Sequence, residues 1–541
     1  MRTRRARRAA FVAFVFGVVA FAYAPVLRNG FVEYDDQAYV YENDLVRGGL
    51  APGSLRDAFV HTVSGNWHPL ALLSHMLDCT LFGLNPSGHH LTSLLLHAVN
   101  TALLFLLLEG ATAAAWPSAL AALLFGLHPL NVDSVAWIAE RKNVLSTLFW
   151  LSATCAYFRY ARSPSARNLF TTLILMLLGL MSKAALMMFP FALLALDAWP
   201  LGRWTVAGVG RTGTGELLGE KRALFILAAV GAAAAIKTQR TGEAIALGSS
   251  FPVAWRIPYA LDNYVHYLRK ALWPADLAVL YPRPEAPLSL GILALDVLLL
   301  AAITLAVVRL RRKRPYLLAG WLWYAVTLFP TCGLLVLGRT IKADRYAYVP
   351  CIGVFFAAAW LLGDLAARGR RARAAVIAAA AAGCVALGAL ARQQVACWRD
   401  SIALFSHAVE VTKDNFWMQD NLGRALLDSG RLAEGVAHLR EAVRIAPGVA
   451  DLRSNLGRGL FLAGEYGEAE EHLRRAIEME PDDAELRFNL ALVLEAAGRY
   501  GDADALFEQA GQMARRAGDE GLVQRMRACR ADLRAGRRMR R

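Results

Sequence analysis

Residues 421–447 read NLGRALLDSGRLAEGVAHLREAVRIAP, and residues 455–481 read NLGRGLFLAGEYGEAEEHLRRAIEMEP, the same pattern displaced by 34 positions. A third copy begins at Asn489-Leu490-Ala491. Gly430, Gly464 and Gly498 fall in register, as do Ala442, Ala476 and Ala510, and Pro447 and Pro481. Small residues at fixed places let two antiparallel helices approach closely, and Pro, which has no N–H, ends the second. A period in this range marks stacked two-helix units. Phe405 and Ala408 stand 34 before Leu439 and Ala442, so 399–412 reads as half of an earlier unit. The expected array fills 398–524 with roughly three and a half repeats, and an Arg-rich tail follows over 525–541. Gly435 stands where such repeats usually carry Ala, and Lys413 where Pro would close the half-unit. Both predict a looser start to the array.

Upstream, residues 1–397 are of another kind. The whole chain of 541 residues is 56% hydrophobic and 19% charged, with mean hydropathy +0.35. Soluble domains carry about 25% charged residues. The same figures exclude a disordered, collagenous or disulfide-stapled chain, and seven Cys imply no disulfide framework. From Trp398 onward there are 22 Lys and Arg against 24 Asp and Glu; the first 397 residues carry 37 against 20. A basic, apolar half fits a membrane protein with basic cytoplasmic loops and is not the footprint of a nucleic-acid binder.

Spans of about 20 apolar residues are expected at 9–27, 88–109, 116–134, 143–160, 168–182, 184–200, 221–237, 289–308, 316–336, 347–364 and 374–391, about eleven in all. The predicted fold is therefore all-α: a polytopic membrane helix bundle over 1–397 followed by a helical solenoid. With the N-terminus cytoplasmic, the basic clusters Arg159/Arg162/Arg167, Arg203 to Arg222, Arg309 to Arg314 and Arg368 to Arg373 share one side. An odd number of spans then sends the repeat array outside, together with the loops 28–87 and 238–288.

Ionisable residues close to the expected outer membrane face carry the functional signal. Asp35 and Asp36 follow the first span. On spacing alone such a pair is more often a solvated turn than a base or a metal-binding pair. The topology adds Glu140-Arg141-Lys142, Lys183, Arg269-Lys270, and Arg339, Lys342, Asp344 and Arg345 to the same face. An acidic pair opposite several cations suits a lipid-phosphate substrate: cations hold the phosphate and a carboxylate handles a proton. His68-Pro69 and His128-Pro129 form a further pair. No His-x₃-His or Cys-x₂-Cys spacing occurs, and His89-His90 are too close for a standard site, so no metal is assigned and a divalent ion stays open. Neither a phosphate-binding Gly-rich loop nor a Gly-x-Ser-x-Gly elbow is present.

Taken in order, Tyr34-Asp-Asp-Gln-Ala-Tyr-Val40, Trp67-His-Pro-Leu70, Leu127-His-Pro-Leu-Asn-Val-Asp-Ser-Val-Ala-Trp-Ile-Ala-Glu-Arg-Lys142, Met181-Ser-Lys183, Leu196-Asp-Ala-Trp-Pro-Leu-Gly-Arg203 and Ala343-Asp-Arg-Tyr-Ala-Tyr-Val-Pro350 are followed by a tail whose period is that of the tetratricopeptide repeat. The set resembles the transmembrane-and-tetratricopeptide-repeat O-mannosyltransferases and their bacterial relatives, within the C-type membrane glycosyltransferase superfamily. The resemblance spans about residues 10–515. It implies an enzyme that moves a sugar, mannose by family expectation, from a polyprenyl-phosphate donor to an acceptor hydroxyl, protein Ser/Thr expected, on the outer face. Asp35 takes the role of base with Asp36 in support, and Lys183, Arg345 and Arg141 fall to the donor phosphate. Asp133, Glu140 and His128 are supporting residues. Ala184 stands where relatives often place Glu after the lysine, so a carboxylate partner for Lys183 is expected to be missing. One displacement implies inversion at the sugar.

No cofactor is called for. The implied partners are the polyprenyl-phosphate sugar lipid, an acceptor protein or envelope glycan, proteins engaged by the repeats, and the membrane, with no nucleic acid. The implied location is the bacterial inner membrane. A rival reading is a non-enzymatic membrane-anchored scaffold for envelope assembly, against which eleven spans weigh. A transporter would place its ionisable sites near the bilayer midplane. The enzyme reading requires Asp35, Lys183 and Arg345 to line one outer cavity.

Overall fold

The computed structural model describes residues 2–204, 213–241, 251–335 and 340–539. Arg339, one of the cations expected before the tenth span, lies outside them. The chain divides into two compact units, Met1–Leu404 and Phe405–Arg541. Among the described residues both are helical, with the short antiparallel bridge of Val63 to Asn66 as the exception.

In the first unit every expected span contains a helix. Helix boundaries follow local chemistry. Arg2–Tyr23 gives way at Ala24-Pro25 to a tight turn, Ala24–Arg28, because Pro cannot donate to the preceding turn. Pro86–Thr112 starts with Pro in its first turn and with the Asn85 side chain accepting the Ser87 N–H at 3.1 Å. Ala115–Leu127 breaks at His128-Pro129 and resumes as Pro129–Ala136 at an angle of 55°. The His128 ring accepts the Leu130 N–H at 3.2 Å and so caps the second piece.

Among the described residues, five helices combine the length and apolarity of a crossing: Arg5–Arg28, Pro86–Thr112, Arg222–Gln239, Leu290–Leu310 and Arg370–Cys397. The bent pair makes a sixth, so eleven is not reached by this measure. Ala166–Leu180, for example, is apolar but 15 residues long. At 1.5 Å per residue that is roughly 22 Å, against a hydrocarbon core of about 30 Å.

Two helices meet closely at Gly320 and Gly353, in Pro315–Leu328 and Cys351–Ala366. A Cβ on Gly320 would lie 2.5 Å from the Gly353 carbonyl oxygen, the close backbone approach that membrane helices achieve with small residues. The described parts of the expected outer loops also form helices. Val253–Leu272 buries Tyr259, Asn263, His266, Tyr267 and Lys270, the i, i+3, i+4 face of an amphipathic helix. The loop after the first span is fastened to the end of Arg370–Cys397: Gly30 N–H donates to the Arg399 carbonyl at 2.8 Å, and Asn29 Nδ2 to the Val395 carbonyl at 3.1 Å.

The second unit is a run of antiparallel helix pairs, Phe416–Asp428 with Leu432–Ile445, Ala450–Ala463 with Tyr466–Met479, and Ala484–Ala496 with Tyr500–Ala517, followed by Glu520–Met539. Gly430, Gly464 and Gly498 occupy the turns inside the pairs with φ of 82°, 82° and 80°. That left-handed conformation is what makes glycine recur there. Gly435 does not loosen the first pair. A Cβ there would lie 2.8 Å from both the Gly423 carbonyl and Leu427 Cδ2, so the missing methyl is what lets these helices close up.

Candidate functional site

The first outer loop is built around Asp36. Its carboxylate is buried, and each oxygen accepts a backbone N–H: Val32 at 3.0 Å and Ala139 at 2.8 Å. Burial pushes its pKa up to about 7, against the two N–H donors that favour the charged form. Next to it Tyr34 accepts the Trp137 indole N–H on its carbonyl at 2.7 Å. Asp35, between these anchors, has φ of 71°, a conformation costing a non-glycine residue about 1–2 kcal/mol. Its carboxylate makes no hydrogen bond or ion pair among the described residues, and Lys142 lies within electrostatic reach. The two acids thus differ in kind. One is a clamp joining two segments 103 residues apart, and the other is presented by that clamp.

Glu140 is the centre of a buried charge cluster. It closes the short turn Ile138–Glu140 ahead of the helix Arg141–Arg162. Lys183 Nζ lies 2.5 Å from Oε1, Lys142 Nζ 3.3 Å from Oε2, and Arg345 Nε 3.9 Å from Oε2. Arg345 also reaches Asp133 Oδ2 through its guanidinium at 3.5 Å, and its backbone N–H donates to the same oxygen at 3.2 Å. Burial raises the Glu140 pKa, and Lys183, Lys142 and Arg345 outweigh that and bring it down to about 2. Burial lowers that of Lys183, partly offset by Glu140. His68 is buried within reach of the same groups, and burial followed by Lys142 and Lys183 takes it down to about 3, so its ring is neutral. Lys142 stacks 4.3 Å over the Tyr39 ring and Arg345 4.9 Å over Trp137. Lys183, Lys142 and Arg345 thus gather around Glu140 and Asp133, with Asp35 within electrostatic reach of Lys142.

Lys183 and Arg345 line one small, open cavity. Its wall combines apolar Trp150, Leu186 and Pro350 with polar Asn143, Ser146 and Thr327. Asp35 is not among its lining residues. Of the three groups expected in one cavity, the structure brings two together and joins the third to them through Lys142.

The remaining expected residues fall as follows. Asp133 and Glu140 are the carboxylates of the cluster. Lys183, expected to lack a carboxylate partner because Ala184 follows it, has one in Glu140, 43 residues earlier in the chain. Arg141 is not in the cluster. Its fully buried guanidinium pairs with Asp78 and donates to the His89 carbonyl at 2.5 Å. His128 is bound at both nitrogens, to the Leu130 N–H and the Ala271 carbonyl. Lys342 pairs with Asp262 at 2.7 Å, and Lys270 donates to the Ala275 and Asp276 carbonyls. Sequence reasoning overlooked Asp78 with His75 and His89, whose ligand atoms lie within 4.8 Å of one another. Asp78 interrupts an apolar helix, which is the signal that could have found it. Asp197, which the sequence offers as an ionisable residue of an apolar segment beside Trp199-Pro200, is buried with Lys221, Arg203 and Tyr157.

Fold and site together describe a multi-pass helical membrane protein with a repeat array. The tetratricopeptide repeat family matches residues 414–482 and, in a second form, 460–528. Over 168 residues the chain is 32% identical to "Protein O-mannosyl-transferase Tmtc1" of Drosophila melanogaster, covering 30% of this chain and 19% of that one. Over 175 residues it is 28% identical to "Protein O-mannosyl-transferase TMTC3" of Homo sapiens, covering 30% and 18%. The matched stretches thus span about a fifth of the length of these curated relatives. They bear out the resemblance that the ordered motifs carry. Among solved structures, ArnT from Cupriavidus metallidurans bound to undecaprenyl phosphate aligns over 93% of this chain and 80% of its own at 15% identity and a TM-score of 0.37. MamA aligns over 26% of this chain and 90% of its own at 18% identity and a TM-score of 0.20.

Proposed function

We propose that the first unit is an inverting glycosyltransferase that moves a sugar, mannose by its likeness to the O-mannosyl-transferases, from a polyprenyl phosphate to an acceptor hydroxyl of protein Ser/Thr. The observation that carries this reading is the shared cavity of Lys183 and Arg345. Such a site suits a lipid-linked phosphate and is poised to stabilise the charge that grows on it as the sugar departs. Glu140 holds these two cations together.

Asp35 removes the acceptor proton while the oxygen attacks the anomeric carbon, which passes through an oxocarbenium-like state. Asp36 is a positioning residue that shapes the turn presenting Asp35. Arg141 has no part in donor binding, because its guanidinium is engaged by Asp78, Ser74 and the His89 carbonyl. Reaction on the outer face of a bacterial inner membrane, with the N-terminus cytoplasmic and the repeats outside to engage acceptor or partner proteins, is supported by the basic loop clusters.

The test is transfer of label from radiolabelled polyprenyl-phosphate mannose to total envelope protein by purified chain in lipid, wild type beside Asp35→Asn. Removing a general base lowers transfer by about 10²–10⁴-fold, with donor-lipid binding and thermal unfolding unchanged. Full activity of Asp35→Asn refutes the assignment of the base. Absence of both transfer and donor-lipid binding in the wild type favours the scaffold reading.

A further inference from the structure

We propose that His75, Asp78 and His89 form a structural binding site for a divalent transition-metal ion of the zinc class, joining the helices Pro69–Phe82 and Pro86–Thr112. All three side chains are buried, and their nearest ligand atoms lie within 4.8 Å of one another. His75 is 0% exposed, and neither of its ring nitrogens has a hydrogen-bond partner among the described residues. A neutral imidazole always offers one lone pair and one N–H, so a fully buried ring with neither satisfied lacks a partner of matching chemistry.

His89 fixes the polarity of the site. Its Nε2 lies 3.1 Å from the Gly83 carbonyl, which can only accept, so Nε2 carries the proton. Nδ1 then presents a lone pair, 3.5 Å from Asp78 Oδ2 and with no hydrogen-bond partner of its own. Two electron-rich atoms face each other there, beside the Arg141 guanidinium on Oδ2. An N–H donated to a backbone carbonyl while the other nitrogen points at the site is the outer-shell arrangement of a metal-ligating histidine. Asp78 is oriented in the same manner, with Oδ1 accepting the Thr92 hydroxyl at 2.8 Å.

Arg141 contacts Asp78 Oδ2 and takes one of its lone pairs. It is held independently by the Ser74 hydroxyl at 3.3 Å, the Ser93 hydroxyl at 3.3 Å and the His89 carbonyl, which leaves the second lone pair of Oδ2 to the ion. Two imidazoles and a carboxylate are a zinc donor set, with water as fourth ligand. The site lies apart from the Lys183–Arg345 cavity, shares no residue with its lining, and does not rest on the proposed transfer reaction.

The test uses the full chain, purified in detergent with a tag free of histidine, equilibrated with Zn²⁺, desalted and assayed for bound metal. The expected result is about one ion per chain in the wild type and roughly tenfold less in the His75→Gln/His89→Gln double variant. The absorption of the Co²⁺-loaded wild type gives a reading that needs no variant: bands of a tetrahedral ion support the site. A metal-free, fully folded wild type after equilibration overturns it. A monodisperse double variant that keeps the wild-type stoichiometry, or a purely six-coordinate aqueous Co²⁺ spectrum, overturns it as well.

Discussion

The two units use charge in opposite ways. In the first, the ion pairs around Glu140 are buried and join distant segments. Lys183–Glu140 is 17% and 2% exposed across 43 residues of chain, and Arg345–Asp133 is 10% and 5% exposed across 212. In the second, pairs are mostly exposed and lie within one helix turn or between neighbouring repeats. Arg431–Glu434 is one turn apart with exposures of 49% and 58%, and Arg440 reaches Glu465 and Glu468 on the next pair with all three groups more than a third exposed. A repeat array needs charge to stay soluble and gains little from any one pair. A buried cluster is costly to assemble and is retained where the electrostatic field itself has work to do. Burial of a pair alone does not mark chemistry, since Arg141–Asp78 is buried as deeply outside the cluster; three cations gathered on one buried carboxylate are what set the first unit apart.

Three substitutions probe that contrast, in order of falling effect. Glu140→Gln leaves Lys183, Lys142 and Arg345 without their shared anion. Breaking a buried pair in this way costs about 3–5 kcal/mol, read as lost stability on unfolding in detergent. Its pH dependence has a definite sign. Glu140 is depressed from 4.5 to about 2 in the folded chain, so its contribution is complete above about pH 4.5 and drains away as pH falls toward 2. The gap between wild type and Glu140→Gln should close over that window; a gap constant from pH 6 to 3 would mean that packing, not charge, makes Glu140 important.

Next in size is Gly464→Ala, which forces a side chain into φ of 82° at a turn where an added Cβ meets nothing within 4 Å. The expected loss is about 1–2 kcal/mol from backbone conformation alone, measured on the array's unfolding transition. The smallest effect belongs to Arg440→Ala, which removes two exposed pairs and should cost less than about 1 kcal/mol, shrinking further in high salt. A larger, salt-insensitive loss there would erase the distinction between the units.

Much of the architecture could be read in advance because it is periodic. Glycine at 430, 464 and 498 recurs since each turn needs the same left-handed φ, and the apolar runs marked helices wherever they occurred. Segments whose order depends on tertiary contacts were less visible. Val253–Leu272 is polar enough to pass for a loop until its buried face is seen. Gly435, taken for a weak point, proved a close contact because the partner surface across the pair is also glycine, at 423. In the candidate site, Lys183 and Arg345 stood out as cations in apolar surroundings, and the structure gives them a common cavity. Arg141 looked equivalent to them. Its partner Asp78 lies 63 residues away in another helix, and nothing in the local sequence announces such a pairing.

The clamp at Asp36 has a consequence for how portable the first loop is. Its shape is not written within its own residues. One of the two N–H groups that seat the Asp36 carboxylate belongs to Ala139, and the indole gripping the Tyr34 carbonyl belongs to Trp137. A peptide copied from 29–43, or the same loop grafted onto another helical carrier, would lose both anchors and with them the backbone bend at Asp35. Any transplant that keeps that bend must carry residues 137–139 along with it.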